Sequence, residues 1–232
     1  MKRAIIRGLW GQKPERPRNY GQMLASVPKI INNKWTKPFV AYALGKDNYD
    51  YLVKNGAQNV VCITNDNYIY EPKSQFGNKI AIIKYAMEND DYDEILWVDW
   101  DCYPLKEMPD NYWDIMGKKE SFQANLMTYH HRQCWWRKHA SRTVPNGGFI
   151  YLRDRAIVSR VMSIYDSYKG INDEPAWARY IDDFIGDWGN LQASYKKYWD
   201  MFEPELCCVY KASPFSEELL KSRDVCFRHV FG

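Results

Sequence analysis

Long uninterrupted apolar runs are missing from this sequence. The short apolar stretch at the N-terminus is broken by Arg7, which argues against a signal peptide or a membrane span there. No later run approaches the roughly 20 residues that a spanning helix requires. We therefore expect a soluble, cytoplasmic protein.

Paired cysteines and an excess of one charge are also missing. None of the 6 Cys residues forms a C-x-x-C pair, so we expect reduced thiols rather than a disulfide framework. The 32 basic and 29 acidic residues leave a net charge of +3, too balanced for a dedicated nucleic-acid-binding protein. Neither the P-loop pattern G-x-x-x-x-G-K-[ST] nor the dinucleotide pattern G-x-G-x-x-G occurs.

The sequence does contain enough apolar residues for one substantial core. Its 232 residues are 46% apolar and 16% aromatic, and a single core can serve up to roughly 250 residues. We find no internal repeat and no long linker. These features predict one domain, 1–232.

Short strands alternate with amphipathic helices in the first half. The patterns predict strands at Ala4–Ile6, Phe39–Ala43, Val60–Ile63 and Ile95–Val98, and helices at Gln22–Ile31, Tyr49–Asn55 and Lys79–Glu88. The second half is less regular, with strands at Ser121–Leu126 and Phe149–Leu152 and a helix at Ala156–Tyr168. The alternation predicts βαβ units, and hence an α/β fold with a mainly parallel central sheet flanked by helices.

Two carboxylates follow the most apolar of these strands. The run Ile95–Val98 is typical of a strand buried on both faces, and it ends in Asp99-Trp100-Asp101. In extended chain Asp99 and Asp101 would point the same way, roughly 6–7 Å apart. Ligands of open α/β sheets bind at the carboxyl ends of the strands, so this position favours a binding site. The alternative is that both residues simply begin a turn.

A divalent cation suits such a pair. Mg²⁺ and Mn²⁺ prefer oxygen ligands and are often shared between protein carboxylates and phosphate oxygens. A second copy of the pattern, Asp91-Tyr92-Asp93, lies in an acidic run between a helix and a strand, and we interpret it as a solvated turn.

In the strand with its Asp-x-Asp and in two later segments, the chain resembles glycosyltransferases of the GT-A fold. The resemblance is to the glycogenin-like and bacterial galactosyltransferase-like retaining group in particular. Ile95–Asp101 followed by Cys102–Leu105 is similar to the family's strand, Asp-x-Asp and "x-x-P-L" segment. Asn146–Leu152 resembles its "N-x-G" turn and strand, and His229–Gly232 resembles its C-terminal "H-x-x-G". Small glycosyltransferases of large DNA viruses are similar in size.

The resemblance implies a nucleotide-sugar donor, preferably UDP-linked, and a bound Mn²⁺ or Mg²⁺. Asp99, Asp101 and His229 would hold the metal, and Lys79 would contact a phosphate or hold Asp99, unless it is a solvated lysine. Residues 1–101 would form the nucleotide-sugar-binding half, and residues 102–232 the half that completes the metal site and binds a glycan or other hydroxyl acceptor.

Further residues receive roles from the same resemblance. The turn Asn146-Gly147-Gly148 would form a wall of the sugar pocket, unless it is an ordinary turn before a strand. Trp10 would face the nucleoside or belong to the core. The acids Asp173, Glu174, Asp182 and Asp183 resemble the family's "D-Q-D" region near the reacting sugar, although Pro175 and Ala176 depart from that pattern. The aromatic and basic segment 130–139 could contact the acceptor or cover the core edge; its ligand spacing does not fit a zinc site.

Several alternatives stay open at this point. An Asp-x-Asp after a strand would also serve another metal-dependent nucleotidyl or phosphoryl transferase. A carbohydrate-binding domain could keep the fold without turnover. The resemblance favours retention of configuration, whereas an acid acting as a base on the acceptor would give inversion. The sugar, the acceptor, the oligomeric state, the source and whether the chain is a piece of a longer protein are all left undetermined.

Overall fold

A computed structural model describes residues 1–11, 20–65, 67, 76–118, 121–128, 143–168, 173–180, 208–210 and 227–229. Its strands are β1 (Arg3–Leu9), β2 (Val40–Leu44), β3 (Val60–Ile63), β4 (Glu94–Val98), β5 (Cys102–Pro104), β6 (Phe122–Thr128), β7 (Thr143–Leu152), β8 (Cys208–Tyr210) and β9 (Phe227–His229). Its helices are α1 (Tyr20–Ile31), α2 (Lys46–Lys54), α3 (Gly77–Asn89), α4 (Tyr112–Gly117), α5 (Arg155–Tyr168) and α6 (Glu174–Tyr180).

Among the described residues, the main sheet contains six strands in the order β3-β2-β1-β4-β7-β6. The first four strands are parallel to one another, whereas β7 is antiparallel to both β4 and β6. Strand β4 therefore lies where the parallel half of the sheet meets the antiparallel half. The prediction of a mainly parallel sheet flanked by helices is confirmed.

Alternate residues of β4 enter different cores. Ile95 and Trp97 pack with residues of α3 and α5 on one face, whereas Leu96 and Val98 pack with residues of α4 and β7 on the other. Each of these four residues is at most 1% exposed. Burial on both faces explains why the segment reads as a continuous apolar run in the sequence.

A second, three-stranded sheet has the order β5-β9-β8. Strand β9 runs antiparallel to β5, with His229 opposite Cys102 and Phe227 opposite Pro104, and parallel to β8. None of its three-residue strands was predicted, because each is too short to show a periodic pattern. This sheet brings a distant part of the chain next to the residues that follow β4.

The antiparallel half of the main sheet differs from the prediction at one place. Strand β7 begins at Thr143, so that Asn146, Gly147 and Gly148 lie within a strand and not in a turn before it. The pairing with β6 shifts here, since Ala124 pairs with Ile150 and the next residue, Asn125, pairs with Asn146. A bulge allows residues of turn-like composition to remain inside a strand, which is why the composition was misleading.

Elsewhere the helix boundaries agree with the prediction to within a few residues. Gly56, at the predicted end of α2, has a positive φ of 91°, as a glycine after a helix often does. In the described part of the chain, no helix is long and apolar enough to cross a membrane.

The close packing of β1 against β4 and α3 gives a stability prediction. A Cβ added at Gly8 would lie 2.5 Å from Cη2 of Trp97 and 2.8 Å from Cδ1 of Ile82. We expect Gly8→Ala to lower the free energy of unfolding by about 1–3 kcal/mol, because overpacking forces the indole to move. Urea denaturation measures the change.

Gly21 provides the matched control, since an added Cβ there would meet no described residue within 4 Å. Gly21 lies near the start of α1, so Gly21→Ala should leave the free energy of unfolding unchanged or raise it by up to about 1 kcal/mol. Equal loss of stability in both variants would contradict the packing described for Gly8.

Candidate active site

The Asp-x-Asp segment forms a hydrogen-bonded turn. The backbone N–H of Cys102 donates to the carbonyl oxygen of Asp99 at 3.0 Å, and the N–H of Asp99 donates to the carbonyl oxygen of Gly148 at 2.8 Å. The strand thus ends at Val98, and the extended-chain geometry expected for Asp99 and Asp101 does not apply. The turn still directs Trp100 into the core, where it is 1% exposed, while Asp99 keeps a partly exposed side chain.

The carboxylate of Asp99 is held by two donors. The indole Nε1–H of Trp97 donates to its Oδ1 at 2.7 Å, and the ammonium of Lys79 lies 3.1 Å from its Oδ2. Each carboxylate oxygen can accept more than one contact. The two contacts fix the direction in which Asp99 faces.

Lys79 is buried at the start of α3 and connects three parts of the site. Its side chain is 5% exposed, its Nζ donates to the carbonyl oxygen of Gly147 at 2.9 Å, and the same Nζ lies 3.6 Å from Oδ2 of Asp173. The solvated lysine that the sequence left open is therefore not what the structure shows. Lys79 instead forms ion pairs with two carboxylates.

Asp173 lies on the far side of Lys79, just before α6. Its Oδ2 accepts the indole Nε1–H of Trp177 at 2.9 Å, and its side chain is only 2% exposed. Two carboxylates of the described site, Asp99 and Asp173, are therefore each oriented by an indole and both paired with one lysine.

Gly147 allows this arrangement because it has no side chain. A Cβ at this position would lie 2.5 Å from Oδ2 of Asp173 and 2.7 Å from Nζ of Lys79. Its neighbour Gly148 accepts hydrogen bonds from the backbone N–H of Asp99 and the thiol of Cys102, the latter at 3.2 Å. The bulged part of β7 thus forms one wall of the site, although as strand and not as the predicted turn.

A buried arginine lies beneath the turn. Arg7 of β1 is 2% exposed, and its Nη1 donates to the carbonyl oxygen of Asp99 at 2.7 Å. Burial lowers the pKa of Arg7 to about 10, opposed by attraction to Cys102, Asp99 and Asp101, so the guanidinium stays charged at neutral pH. Sequence reasoning missed Arg7 as a site residue; a cation inside an apolar strand was the available signal.

His229 approaches the same turn through the backbone of β9. It pairs with Cys102, the residue that follows Asp101, so the C-terminal strand does fold back to the end of β4. Among the side chains that the structure describes, no group of three His, Cys, Asp or Glu residues is placed to hold a metal ion. The role of His229 as a ligand stays a prediction.

The remaining residues that the sequence predicted for the site lie in different parts of the structure. Trp10 is 5% exposed and packs against Trp97 with ring centroids 6.3 Å apart, which leaves little of its surface for a nucleoside. Glu174 is the first residue of α6, and Asn146 lies in β7. Asp182, Asp183 and the segment 130–139 lie outside the described residues.

In the second Asp-x-Asp copy, Asp91 is 78% exposed and pairs with Arg155, as expected of a solvated turn.

Comparison with known proteins identifies the fold. No protein-family profile matches the chain, and no curated protein matches it in sequence. Mouse xyloside xylosyltransferase 1, in its apo form, is similar with a TM-score of 0.52 and 10% identity, covering 99% of this chain and 98% of that one. An active-site mutant of LgtC is similar with a TM-score of 0.50 and 14% identity, covering 98% of this chain and 87% of that one.

A glycosyltransferase involved in the glycosylation of the major capsid of PBCV-1 also matches, with a TM-score of 0.47, 13% identity, and coverage of 99% and 93% of the two chains. At these identities the first two similarities establish the fold and nothing finer. The chain has the GT-A fold, and the predicted likeness to GT-A glycosyltransferases is confirmed at that level.

The bridging lysine yields a second stability prediction. Lys79→Met leaves Asp173, and in part Asp99, without a counter-charge inside the protein. We expect a loss of about 3–5 kcal/mol in the free energy of unfolding, because a buried ion pair is far more costly to break than to replace. Adding Asp173→Asn to the same variant should recover part of the loss, as measured by denaturant unfolding.

Lys84→Met, on the same helix, serves as the control. Lys84 is 33% exposed and pairs with Glu88 one turn away at 3.4 Å, so its removal should cost no more than about 1 kcal/mol. If Lys79→Met and Lys84→Met were equally stable, the buried ion pairs of Lys79 would have no energetic importance.

Proposed function

We propose that the protein is a metal-dependent glycosyltransferase that transfers a sugar from a nucleoside-diphosphate sugar, preferably a UDP-hexose, to a glycan or other hydroxyl acceptor. The observation that carries the proposal is the position of the Asp99–Cys102 turn. It lies at the carboxyl end of β4, where parallel and antiparallel halves of the sheet meet, in a fold that glycosyltransferases also use. Ligands of α/β sheets bind at such edges.

The residues of the turn fit a hard divalent cation. Asp99 and Asp101 would supply carboxylate oxygens, and the pairing of His229 with Cys102 brings a histidine-containing strand beside them. An oxygen-rich set with one nitrogen suits Mn²⁺ or Mg²⁺. When bound, the cation would neutralise negative charge on the diphosphate leaving group.

The protein's own side chains prepare the site for that charge. Trp97 and Lys79 fix the direction of the Asp99 carboxylate before any ligand arrives. The Lys79 ammonium lies between Asp99 and Asp173, where it limits the negative charge that two close carboxylates would otherwise accumulate. Groups held in place beforehand do not need to reorganise during the reaction, which is the main source of electrostatic catalysis.

The resemblance favours retention of configuration, and the burial of Asp173 makes this one acid a poor candidate for an inverting base. An inverting enzyme needs a carboxylate that touches the acceptor hydroxyl as a base. Asp173 is 2% exposed, and its Oδ2 already accepts a hydrogen bond from Trp177. We therefore assign Asp173 to orienting Lys79, and leave contacts with the reacting sugar to Glu174, Asp182 and Asp183 as the resemblance implies.

A turnover assay tests the proposal and separates it from its alternatives. Purified protein is incubated with a panel of nucleotide sugars, with and without Mn²⁺, and release of nucleoside diphosphate is measured. Metal-dependent release supports a glycosyltransferase. Release of pyrophosphate or nucleoside monophosphate would instead indicate a nucleotidyl or phosphoryl transferase, and saturable sugar binding without turnover would indicate a carbohydrate-binding domain.

Asp101→Asn tests the metal site within the same assay. We expect a loss of at least about 100-fold in turnover, because the substitution removes a charged ligand while keeping the size of the side chain. The matched control is Asp91→Asn in the exposed second copy of the pattern, which should keep wild-type turnover. Equal activity of Asp101→Asn and wild type under Mn²⁺ would remove the metal from the proposal.

His229→Ala tests the contribution of β9. We expect Mn²⁺ affinity in the presence of UDP to fall by about 10–100-fold, since a neutral imidazole is a good ligand for this ion. UDP affinity without metal should change little, which provides an internal control for folding. Calorimetry measures both quantities, and unchanged Mn²⁺ affinity would make His229 a structural residue of β9.

A further inference from the structure

The most unusual buried group near the turn is the guanidinium of Arg7. It is 2% exposed on a central strand of the sheet, and its Nε has no hydrogen-bond partner among the described residues. Burying a charge is costly, and replacing it by a well-packed apolar residue is often neutral or stabilising. The fold of β1 therefore does not explain why an arginine stands at this position.

The contacts of Arg7 point to the turn. Its one described hydrogen bond goes to the carbonyl oxygen of Asp99, the same oxygen that accepts the N–H of Cys102 to close the turn. A charged donor makes a shorter and stronger hydrogen bond than a neutral one. The carbonyl oxygen is thereby held from two sides.

Two aromatic rings hold the guanidinium in place. Cζ of Arg7 lies 5.4 Å from the ring centroid of Trp100 and 5.5 Å from that of Phe39. The two rings meet edge to face, with centroids 5.6 Å apart. Trp100 is the middle residue of the Asp-x-Asp segment, so Arg7 contacts that segment through both its backbone and its central side chain.

We infer that Arg7 is a positioning residue, which fixes the Asp99–Cys102 turn from beneath so that the carboxylates of Asp99 and Asp101 face the diphosphate and its cation. The inference rests on the proposed function for the identity of the ligand, but the restraint on the turn exists without one. Partners that orient metal ligands typically affect metal affinity by about 10–100-fold when they are removed.

Arg3 offers a matched control on the same strand. It lies at the opposite end of β1, forms a 2.9 Å ion pair with the buried carboxylate of Glu94, and its Cζ lies 6.0 Å from the Trp113 ring. Arg3 also pairs with Asp114 at 3.5 Å, so Arg3→Met removes a cation, two ion pairs and an aromatic contact from β1 without touching the turn. Any effect that arises only from loss of stability should appear in this variant too.

The first experiment measures the turn in the metal-free protein. Amide hydrogen exchange of the segment 99–102 is compared in wild type, Arg7→Met and Arg3→Met, and thermal melting is measured in parallel. We expect at least about tenfold faster exchange of the Cys102 amide in Arg7→Met and no specific change in Arg3→Met. Equal exchange in the two variants, after correction for melting, overturns the inference.

The second experiment measures Mn²⁺ affinity in the presence of UDP. We expect Arg7→Met to bind Mn²⁺ at least about tenfold more weakly than wild type, and Arg3→Met to bind within about twofold of it. Unchanged or tighter binding in Arg7→Met overturns the inference. If wild type itself shows no Mn²⁺ binding with UDP, the proposed function fails instead, and the exchange experiment still decides the role of Arg7.

Arg7→Lys keeps the test decisive if the methionine variant does not fold. Lysine preserves the charge but lacks the planar fork that reaches the carbonyl oxygen while it contacts both aromatic rings. We expect normal melting with Mn²⁺ affinity reduced by about threefold or more. Wild-type affinity in Arg7→Lys would show that charge near the turn, and not its positioning, is what matters.

Discussion

Lys79 places a single positive charge between Asp99 and Asp173, and the geometry of the site follows from it. The ammonium can be buried only because both carboxylates and the Gly147 carbonyl oxygen surround it. In turn, the cation beside Asp173 and the indole N–H of Trp177 allow this carboxylate to be 2% exposed. Three elements, α3, the bulged β7 and the start of α6, are thereby tied to the end of β4. A change at any one of them therefore reaches Asp99.

Two indole groups fix the direction of the carboxylates, which an ion pair alone would not do. Trp97 and Trp177 each donate an N–H to one of the two carboxylates, and each is itself fully buried. A rigid donor in a packed core sets a direction, whereas a flexible ammonium mainly supplies charge. Gly8 matters for the same reason, since the Trp97 ring lies directly over it. At this end of the sheet, the packing of the core therefore also determines the geometry of the site.

Local patterns were sufficient to predict the parallel half of the fold. Strand β4 shows a continuous apolar run because both of its faces are buried, and the Asp-x-Asp follows it directly in the chain. Arg7 and Asp173 could not be placed in the same way, because their importance comes from partners far away in the sequence. The pairing of β5 with β9 depends on the fold as a whole, since three-residue strands carry no periodic signal. Gly147 was expected in a turn before a strand, whereas the structure places it in the bulged part of β7.

Arg7 and Lys79 have two different roles, and a single cation could not perform both. Lys79 acts on side chains, where a compact charge can balance two carboxylates at once. Arg7 acts on the backbone of the turn, where its extended donor group reaches the carbonyl oxygen of Asp99 from below. One cation holds the direction of Asp99 and the other holds the turn that carries it, so neither should substitute for the other. Replacing Arg7 with lysine should therefore preserve the charge of the site but not the geometry of the turn.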